Sequence, residues 1–234
     1  MTTPRARTEY RQARFQPPAG STELLLIRHG ESAPAYPDEP FPLVDGQGDP
    51  ELAPEGRRHA ERVAERLRTE RIDAIYVSTL RRTVQTAEPL IARLGLAARV
   101  EADLREVHLG SWEGGLLRKM IAEGDPVARR MQAEERWDVI PGAEPAEEFA
   151  TRVRKAVKRL ADEHPGQRLA VFTHGGVIGQ ALSLASGSRP FAFLGADNGS
   201  ISHIVVTGES WIVRCFNDTA HLGPIFGRSA APLT

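Results

Sequence analysis

Three strings of the sequence put imidazole, guanidinium and glycine together, each directly after an apolar run. Arg28-His29-Gly30 follows Leu24 to Ile27, Ser78-Thr79 and then Arg82 follow Ile72 to Val77, and His174-Gly175-Gly176 follows Leu169 to Thr173. A carboxyl, Glu106, stands in Leu104-Arg105-Glu106, just beyond a short extended segment at Val100. These residue types suit phosphoryl transfer. A neutral imidazole is a competent nucleophile at phosphorus, and cations at Arg28 and Arg82 disfavour charge on His29, which keeps it nucleophilic. The same two forks can donate bidentate hydrogen bonds to a phosphate dianion, with His174, Ser32 and the amides near Gly30 and Gly175 completing the cradle. An alkoxide leaves poorly without a proton, so Glu106 is the candidate general acid, which afterwards takes a proton from attacking water. Fixed cations supply the neutralisation a metal would give, so neither metal nor cofactor is expected.

Such residues meet only if the runs that carry them are neighbouring strands, because ligands in open α/β sheets bind beyond the carboxyl ends of the strands. The continuous apolar runs read as strands covered on both faces. Between them, Ala60, Val63, Ala64 and Leu67 recur at helical spacing after Pro54, as do Leu80, Val84, Ala87, Ile91 and Leu94, and Phe149, Val153, Ala156, Val157 and Leu160 after Pro145. A further helix follows Gly176, and Ile201 to Val206 with Trp211 to Phe216 forms a hairpin across Thr207 to Ser210. The fold class expected is α/β, a three-layer sandwich: a mostly parallel mixed sheet with helices on both faces and a small inserted cap. The cap is the polar stretch 111–144, a lid covers 31–51, residues 1–22 are a flexible basic tail carrying Arg5, Arg7, Arg11 and Arg14, and 223–234 form a C-terminal tail.

Composition narrows the partners. The 234 residues carry 30 Lys+Arg against 31 Asp+Glu, a formal charge of -1, so no global field marks a nucleic-acid or membrane binder. Only Lys119, Lys155 and Lys158 are lysines, which leaves 27 arginines to be sorted into ligands and solvated charges. One cysteine, Cys215, forbids an internal disulfide and reads as a core residue of its strand. Without an apolar run of about 18 residues or a signal-type apolar core, a cytoplasmic location is expected. His59, His108, His164, His203 and His221 show no two-ligand spacing on one face, although His108 could line the site, and Trp112 reads as packing under its loop.

Leu26-Ile27-Arg28-His29-Gly30-Glu31-Ser32 resembles the signature of the histidine phosphatase superfamily, in its phosphoglycerate-mutase-like branch. Ser78 to Ala87 resembles its second arginine motif, Leu104-Arg105-Glu106 with Gly110 to Gly114 its proton-donor loop, and Val171 to Gly176 its second histidine; Asn198 to His203 and Asn217 to Leu222 are similar too. The resemblance implies that His29 is phosphorylated, that Arg28, Arg82 and His174 bind the phosphoryl group, and that Glu106 is the proton donor. Departures are Ala35 where an asparagine is frequent, Ala53 where threonine is usual, and Ala143 and Pro145 around Glu144 in place of glycine and serine. The lid holds Asp38, Glu39, Asp45 and Asp49, no lysine or arginine, and Pro34, Pro37, Pro40, Pro42 and Pro50. A stiff, negative lid would repel a bisphosphorylated acid, which favours hydrolysis of a small phosphorylated substrate over mutase-type transfer. Arg118, Lys119, Arg129, Arg130 and Arg136 of the cap could reverse this by supplying a second anion site. A catalytically silent phospho-ligand or protein binding module is the alternative of another class, and the hairpin's edge strand could pair with a second copy in a homodimer.

Overall fold

The computed structural model describes residues 9–36 and 38–223. Their chain order is β1 (Thr22–Arg28), β2 (Leu43–Val44), β3 (Gln47–Gly48), α1 (Pro54–Leu67), β4 (Ala74–Val77), α2 (Arg81–Leu94), β5 (Ala98–Val100), α3 (Leu116–Ala122), α4 (Pro126–Glu134), α5 (Ala146–Glu163), β6 (Arg168–Thr173), α6 (Gly175–Ser186), β7 (Ile201–Thr207) and β8 (Ser210–Asp218). The central sheet has the order β5-β4-β6-β1-β7-β8, with the first four strands parallel and β7 and β8 antiparallel. The expected α/β sandwich is what forms.

The apolar runs explain the layers. Side chains alternate across a strand, so in β1 Leu25 and Ile27 meet α1 and α2 through Val63, Ala64, Leu67, Ala87 and Leu90. Leu24 and Leu26 take the other face and meet α5 and α6 through Phe149, Val153, Val157, Val177 and Ile178. After β1 the chain turns to one face, and after the adjacent parallel strand β6 it turns to the other. The carboxyl ends of β1 and β6 therefore flank a topological switch point, where open α/β sheets form a crevice. His29 and His174 are the residues immediately beyond those two ends.

Lid and cap have more structure than their polar composition suggests. Asp45 and Gly46 both take positive φ, 48° and 80°, and close the β2–β3 hairpin inside the lid. The cap holds α3 and α4 around its own small core of Trp112, Ala128, Met131 and Ile140, which bears out the packing role of Trp112. Cys215 corrects the expectation of a core residue: it is exposed. Strand β8 is the sheet edge and is bulged opposite Ile201 to Ile204, so its residues do not alternate cleanly into the core. At the same edge the guanidinium of Arg214 lies 3.8 Å from the ring centroid of Phe15, and Thr22, inside the range expected for the tail, already starts β1 with its hydroxyl donating to the Ala161 and His164 carbonyls. Of the tails expected at 1–22 and 223–234, residues 1–8 and 224–234 lie outside the described residues.

Candidate active site

His29 is buried, and its surroundings fix both its tautomer and its charge. Nδ1 lies 2.7 Å from the Gly30 carbonyl oxygen, which can only accept, so the ring proton is on Nδ1. Nε2 is left with its lone pair, which accepts from Nε of Arg82 at 3.2 Å. Burial first, then the charges of Arg82 and Arg28, push the His29 pKa well below the ordinary histidine value. The main chain is clamped as well: His29 N–H donates to the Thr173 carbonyl at 3.0 Å, and Asn198 Nδ2 donates to the His29 carbonyl at 3.0 Å. Asn198 thus positions the histidine through its backbone, as part of a segment picked out in the sequence only by resemblance.

The structure changes the part expected of Gly30. Its N–H donates to Thr86 Oγ1 at 3.0 Å, and that hydroxyl donates in turn to the Arg82 carbonyl at 2.6 Å. The amide is therefore engaged in joining β1 to α2 and is not a phosphate donor. Glycine is needed there for close approach, because a Cβ would fall 2.3 Å from the Gly56 carbonyl oxygen in α1.

His174 faces His29 edge-on, with ring centroids 5.2 Å apart. Its Nε2 is 2.8 Å from Ser78 Oγ, while Nδ1 is buried without a hydrogen-bond partner. Burial, followed by Arg82, His29 and Arg28, lowers its pKa well below the usual range too. Arg28 donates through Nη1 to the Ala196 carbonyl, and its Nε is also buried without a partner. Gly175 lies against this guanidinium, its Cβ position 3.4 Å from Nε, and opens α6 with an N–H that has no partner within the helix. Arg82 donates through Nη1 to the Gly48 carbonyl at 2.9 Å, and burial lowers its pKa to about 10. Two buried arginines and two neutral histidines thus share one crevice.

Glu106 reaches the same crevice from the loop after β5. Its Oε1 accepts from Val107 N–H at 2.9 Å and its Oε2 from Gly176 N–H at 3.1 Å. Gly176 is tight against it, since a Cβ there would sit 2.5 Å from Oε1. The loop is held by Arg152, which donates to the carbonyls of Asp103, Arg105 and Glu106 at 2.7–3.0 Å and pairs with Glu144. Apart from Glu144, eight residues away, the partners of Arg152 lie more than 40 residues distant in sequence, so its hold on the acid loop carries no signal at short range.

The lid closes on this loop. Gln47 Nε2 donates to the Glu106 carbonyl at 2.6 Å, Glu113 accepts from Gly48 N–H at 2.7 Å, and Gly46 lies under His108, its Cβ position 3.5 Å from Nε2. His108 therefore supports the lid turn. The negative lid is also corrected: Asp45 pairs with Arg105 at 3.0 Å, and Asp49 accepts from Arg81 N–H at 2.8 Å and lies 3.7 Å from its guanidinium. Half of the four acids counted against a bisphosphorylated acid are thus neutralised. Among the five basic residues of the cap, Lys119, Arg130 and Arg136 pair at the surface with Glu123, Glu134 and Asp138, and Arg129 is exposed. Arg118 instead turns in and donates to Ser32 Oγ at 2.6 Å, which leaves the serine its own hydrogen to donate. Among the described residues no group of three or more His, Cys, Asp or Glu is placed to hold a metal ion, and no helix is long and apolar enough to cross a membrane.

Comparison with known proteins finds the histidine phosphatase superfamily (branch 1) matching residues 24–219. Phosphoglycerate mutase-like protein 4 of Arabidopsis thaliana is 35% identical over 86% of this chain and 86% of its own length. A metal-independent phosphoserine phosphatase from the same plant is 31% identical over 87% and 84%. A solved structure of mycobacterial glucosyl-3-phosphoglycerate phosphatase, in complex with VO3, has a TM-score of 0.69 at 30% identity, covering 84% of this chain and 99% of that one. Phosphoglycerate mutase from Bacillus anthracis shares the fold, with a TM-score of 0.73 at 23% identity over 87% of this chain and 96% of that one.

Proposed function

The chain belongs to the histidine phosphatase superfamily, and on that premise we propose that it hydrolyses small phosphomonoesters through a phosphohistidine at His29. The observation that carries this reading is the state of His29: neutral, with a lone pair on Nε2 aimed among buried cations. Arg28, Arg82, the N-terminal amide of Gly175 and Nδ1 of His174 surround the place where the phosphoryl oxygens would lie, with Ser32 at its edge. Nε2 attacks phosphorus and the P–O ester bond breaks, while Glu106 gives its proton to the leaving oxygen. Water then attacks the phosphohistidine, Glu106 takes the water's proton, and the P–N bond breaks to return the lone pair to Nε2. The guanidiniums balance the charge of both transition states, the work that general-acid and electrostatic groups do elsewhere without a metal. Phosphatases among the relatives support the reading.

Mutase-type transfer is the second reading, favoured by the mutase-like relative and by the pairing of two of the four lid acids. Hydrolysis is preferred because the cap turns only Arg118 inward, one guanidinium for what would have to be a second phosphate dianion. Brief reaction with a 32P-labelled phosphomonoester followed by denaturation should trap an acid-labile, alkali-stable label, and His29→Ala should lose it together with about 10⁴-fold or more of the turnover. A chain that never takes up label and whose basal hydrolysis is indifferent to His29→Ala is a binding module instead. Strong acceleration of phosphoglycerate interconversion by bisphosphoglycerate would establish the mutase.

A further inference from the structure

Between α6 and β7 the chain runs through Ala196-Asp197-Asn198-Gly199-Ser200, and this loop grips both residues at the exit of β1. The Ser200 carbonyl accepts from Arg28 N–H at 3.1 Å, and the Ala196 carbonyl accepts from the Arg28 guanidinium. Gly199 N–H donates to the Arg28 carbonyl at 3.1 Å and the His29 carbonyl at 3.3 Å, where Asn198 Nδ2 also donates. The loop is fastened in turn by residues that end β8 and follow it. Asp197 N–H donates to Asn217 Oδ1 at 2.7 Å, and Asn217 Nδ2 donates back to Asp197 Oδ2 at 2.8 Å. Nε2 of His221 lies 2.9 Å from the Gly199 carbonyl oxygen, which can only accept, so His221 carries a hydrogen on Nε2 and donates it there.

Among the described residues, Asp197 to Ser200 have no other hydrogen bonds outside the loop: they go to Arg28 and His29 on one side and to Asn217 and His221 on the other. The loop therefore passes the position of Asn217 and His221 on to the nucleophile. Asn217 suits the place, because it takes φ 57°, a left-handed conformation that asparagine tolerates better than most residues. Its own N–H donates to Ser202 Oγ at 3.1 Å, which ties it to β7. Gly199 lies against His59 of α1, its Cβ position 3.0 Å from that side chain, so the loop has little room to settle elsewhere. The Asp197 carboxylate that Asn217 holds is also, with Glu106, one of the two acids that support the charge of Arg28.

We propose that Asn217 and His221 are positioning residues for phosphoryl transfer: they fasten the Asp197–Ser200 loop, and the loop holds the main chain of His29 and Arg28 for attack. This rests on the hydrolase reading and adds to it two residues that touch neither substrate nor reacting atoms. Asn217→Gly accepts the left-handed backbone without strain and deletes only the amide. It should lower kcat roughly 10- to 100-fold, the cost of a misplacement of up to about 1 Å in a reacting group. His221→Leu should act in the same direction, and His221→Gln, whose amide can still donate to the Gly199 carbonyl, should recover part of the loss. Because Glu106 is not on this path, p-nitrophenyl phosphate and an alkyl phosphomonoester should lose by similar factors. Asn198→Ala cuts the side-chain hold of the loop on His29, so Asn217→Gly should add less to it than it costs alone. Rates are taken well below each thermal midpoint and per folded molecule, so a variant that folds in lower yield still reports. Lowered denaturant midpoints with wild-type kcat would make Asn217 and His221 stabilisers of the β8 end and overturn the proposal. A loss confined to the alkyl ester would overturn it too, because the effect would then run through Glu106. If the wild type traps no phosphohistidine and hydrolyses neither ester, the hydrolase reading itself falls. If it does both and the variants match it, only the role given to Asn217 and His221 falls.

Discussion

The floor of the crevice and its rim are built by different means. On the floor, His29, Arg82 and Glu106 are tied to main chain or to one another, Nδ1 of His29 to its neighbour's carbonyl, Arg82 to His29 and Glu106 to two N–H groups, while His174 is held by the Ser78 hydroxyl. Glycines let these segments interpenetrate, at Gly30 against Gly56 and at Gly176 against Glu106. The rim is held by long side chains reaching between the lid, the cap and the sheet, as Arg118 does to Ser32 and Arg105 to Asp45. Such bridges can be exchanged one at a time without disturbing the strands beneath. On the proposed function, chemistry thus falls to groups fixed by short contacts within the sheet edge, and selectivity to groups fixed by long side chains.

The largest test of that contrast lies on the floor. Gly176→Ala removes no chemical group, yet its Cβ would fall 2.5 Å from Glu106 Oε1 and must displace the carboxyl. A displacement of about 1 Å in a reacting group costs on the order of 100-fold, so kcat should fall by about that much. On the proposed role of Glu106 as proton carrier, the loss should be smaller with p-nitrophenyl phosphate, whose leaving group needs little protonation. Equal losses with both kinds of leaving group would show that Glu106 does not carry that proton.

The same contrast explains what could be read from the sequence. The two floor histidines follow their strands directly, so apolar runs ending in Arg28-His29-Gly30 and His174-Gly175-Gly176 place them without any long-range information. Rim contacts join positions far apart in the chain, 86 residues for Arg118 with Ser32, and composition said only that Arg118 was one of five cap cations. The prolines of the lid suggest a stiff acidic strap, although Asp45-Gly46 carries the signal of a two-residue hairpin turn. Counting lid acids overstated their field because Arg81 and Arg105, which pair with them, lie outside the segment counted. Residue type alone suggests a donor's part for Gly30, and only the position of Thr86 shows its N–H to be engaged.

Burial of two neutral histidines gives the floor a cost that pH can expose. His29 and His174 have folded pKa values well below those of the unfolded chain, so below the ordinary histidine value the unfolded state binds the extra protons. Their contribution to stability is unaffected above that value and is lost progressively as pH falls from about 6.5 toward the folded values. Denaturant midpoints measured from about pH 7 down to about pH 5 should therefore fall more steeply for the wild type than for a His29→Asn, His174→Asn double variant. Parallel curves would mean that the histidines are not buried as neutral rings. Activity should tell the same story from the kinetic side, with His29 remaining an unprotonated nucleophile at pH values where an exposed histidine is already charged.

The smallest effect belongs to the rim. Arg105 stands beside Glu106 in sequence, but its guanidinium turns outward to Asp45 at the tip of the β2–β3 turn, where the carboxylate is largely exposed. An exposed pair is worth about 0–1 kcal/mol and is screened by salt. Arg105→Gln should accordingly raise KM by no more than about fivefold while kcat stays near the wild-type value, and the difference should shrink in high salt. Asp45→Asn should do the same, and combining the two should add little, because both remove one interaction. If Arg105→Gln instead lowers kcat as far as Gly176→Ala does, the tie between lid and acid loop is part of the chemical floor. The boundary drawn between positioning and selectivity would then have to move outward to include the β2–β3 hairpin, whose Gln47 already donates to the Glu106 carbonyl.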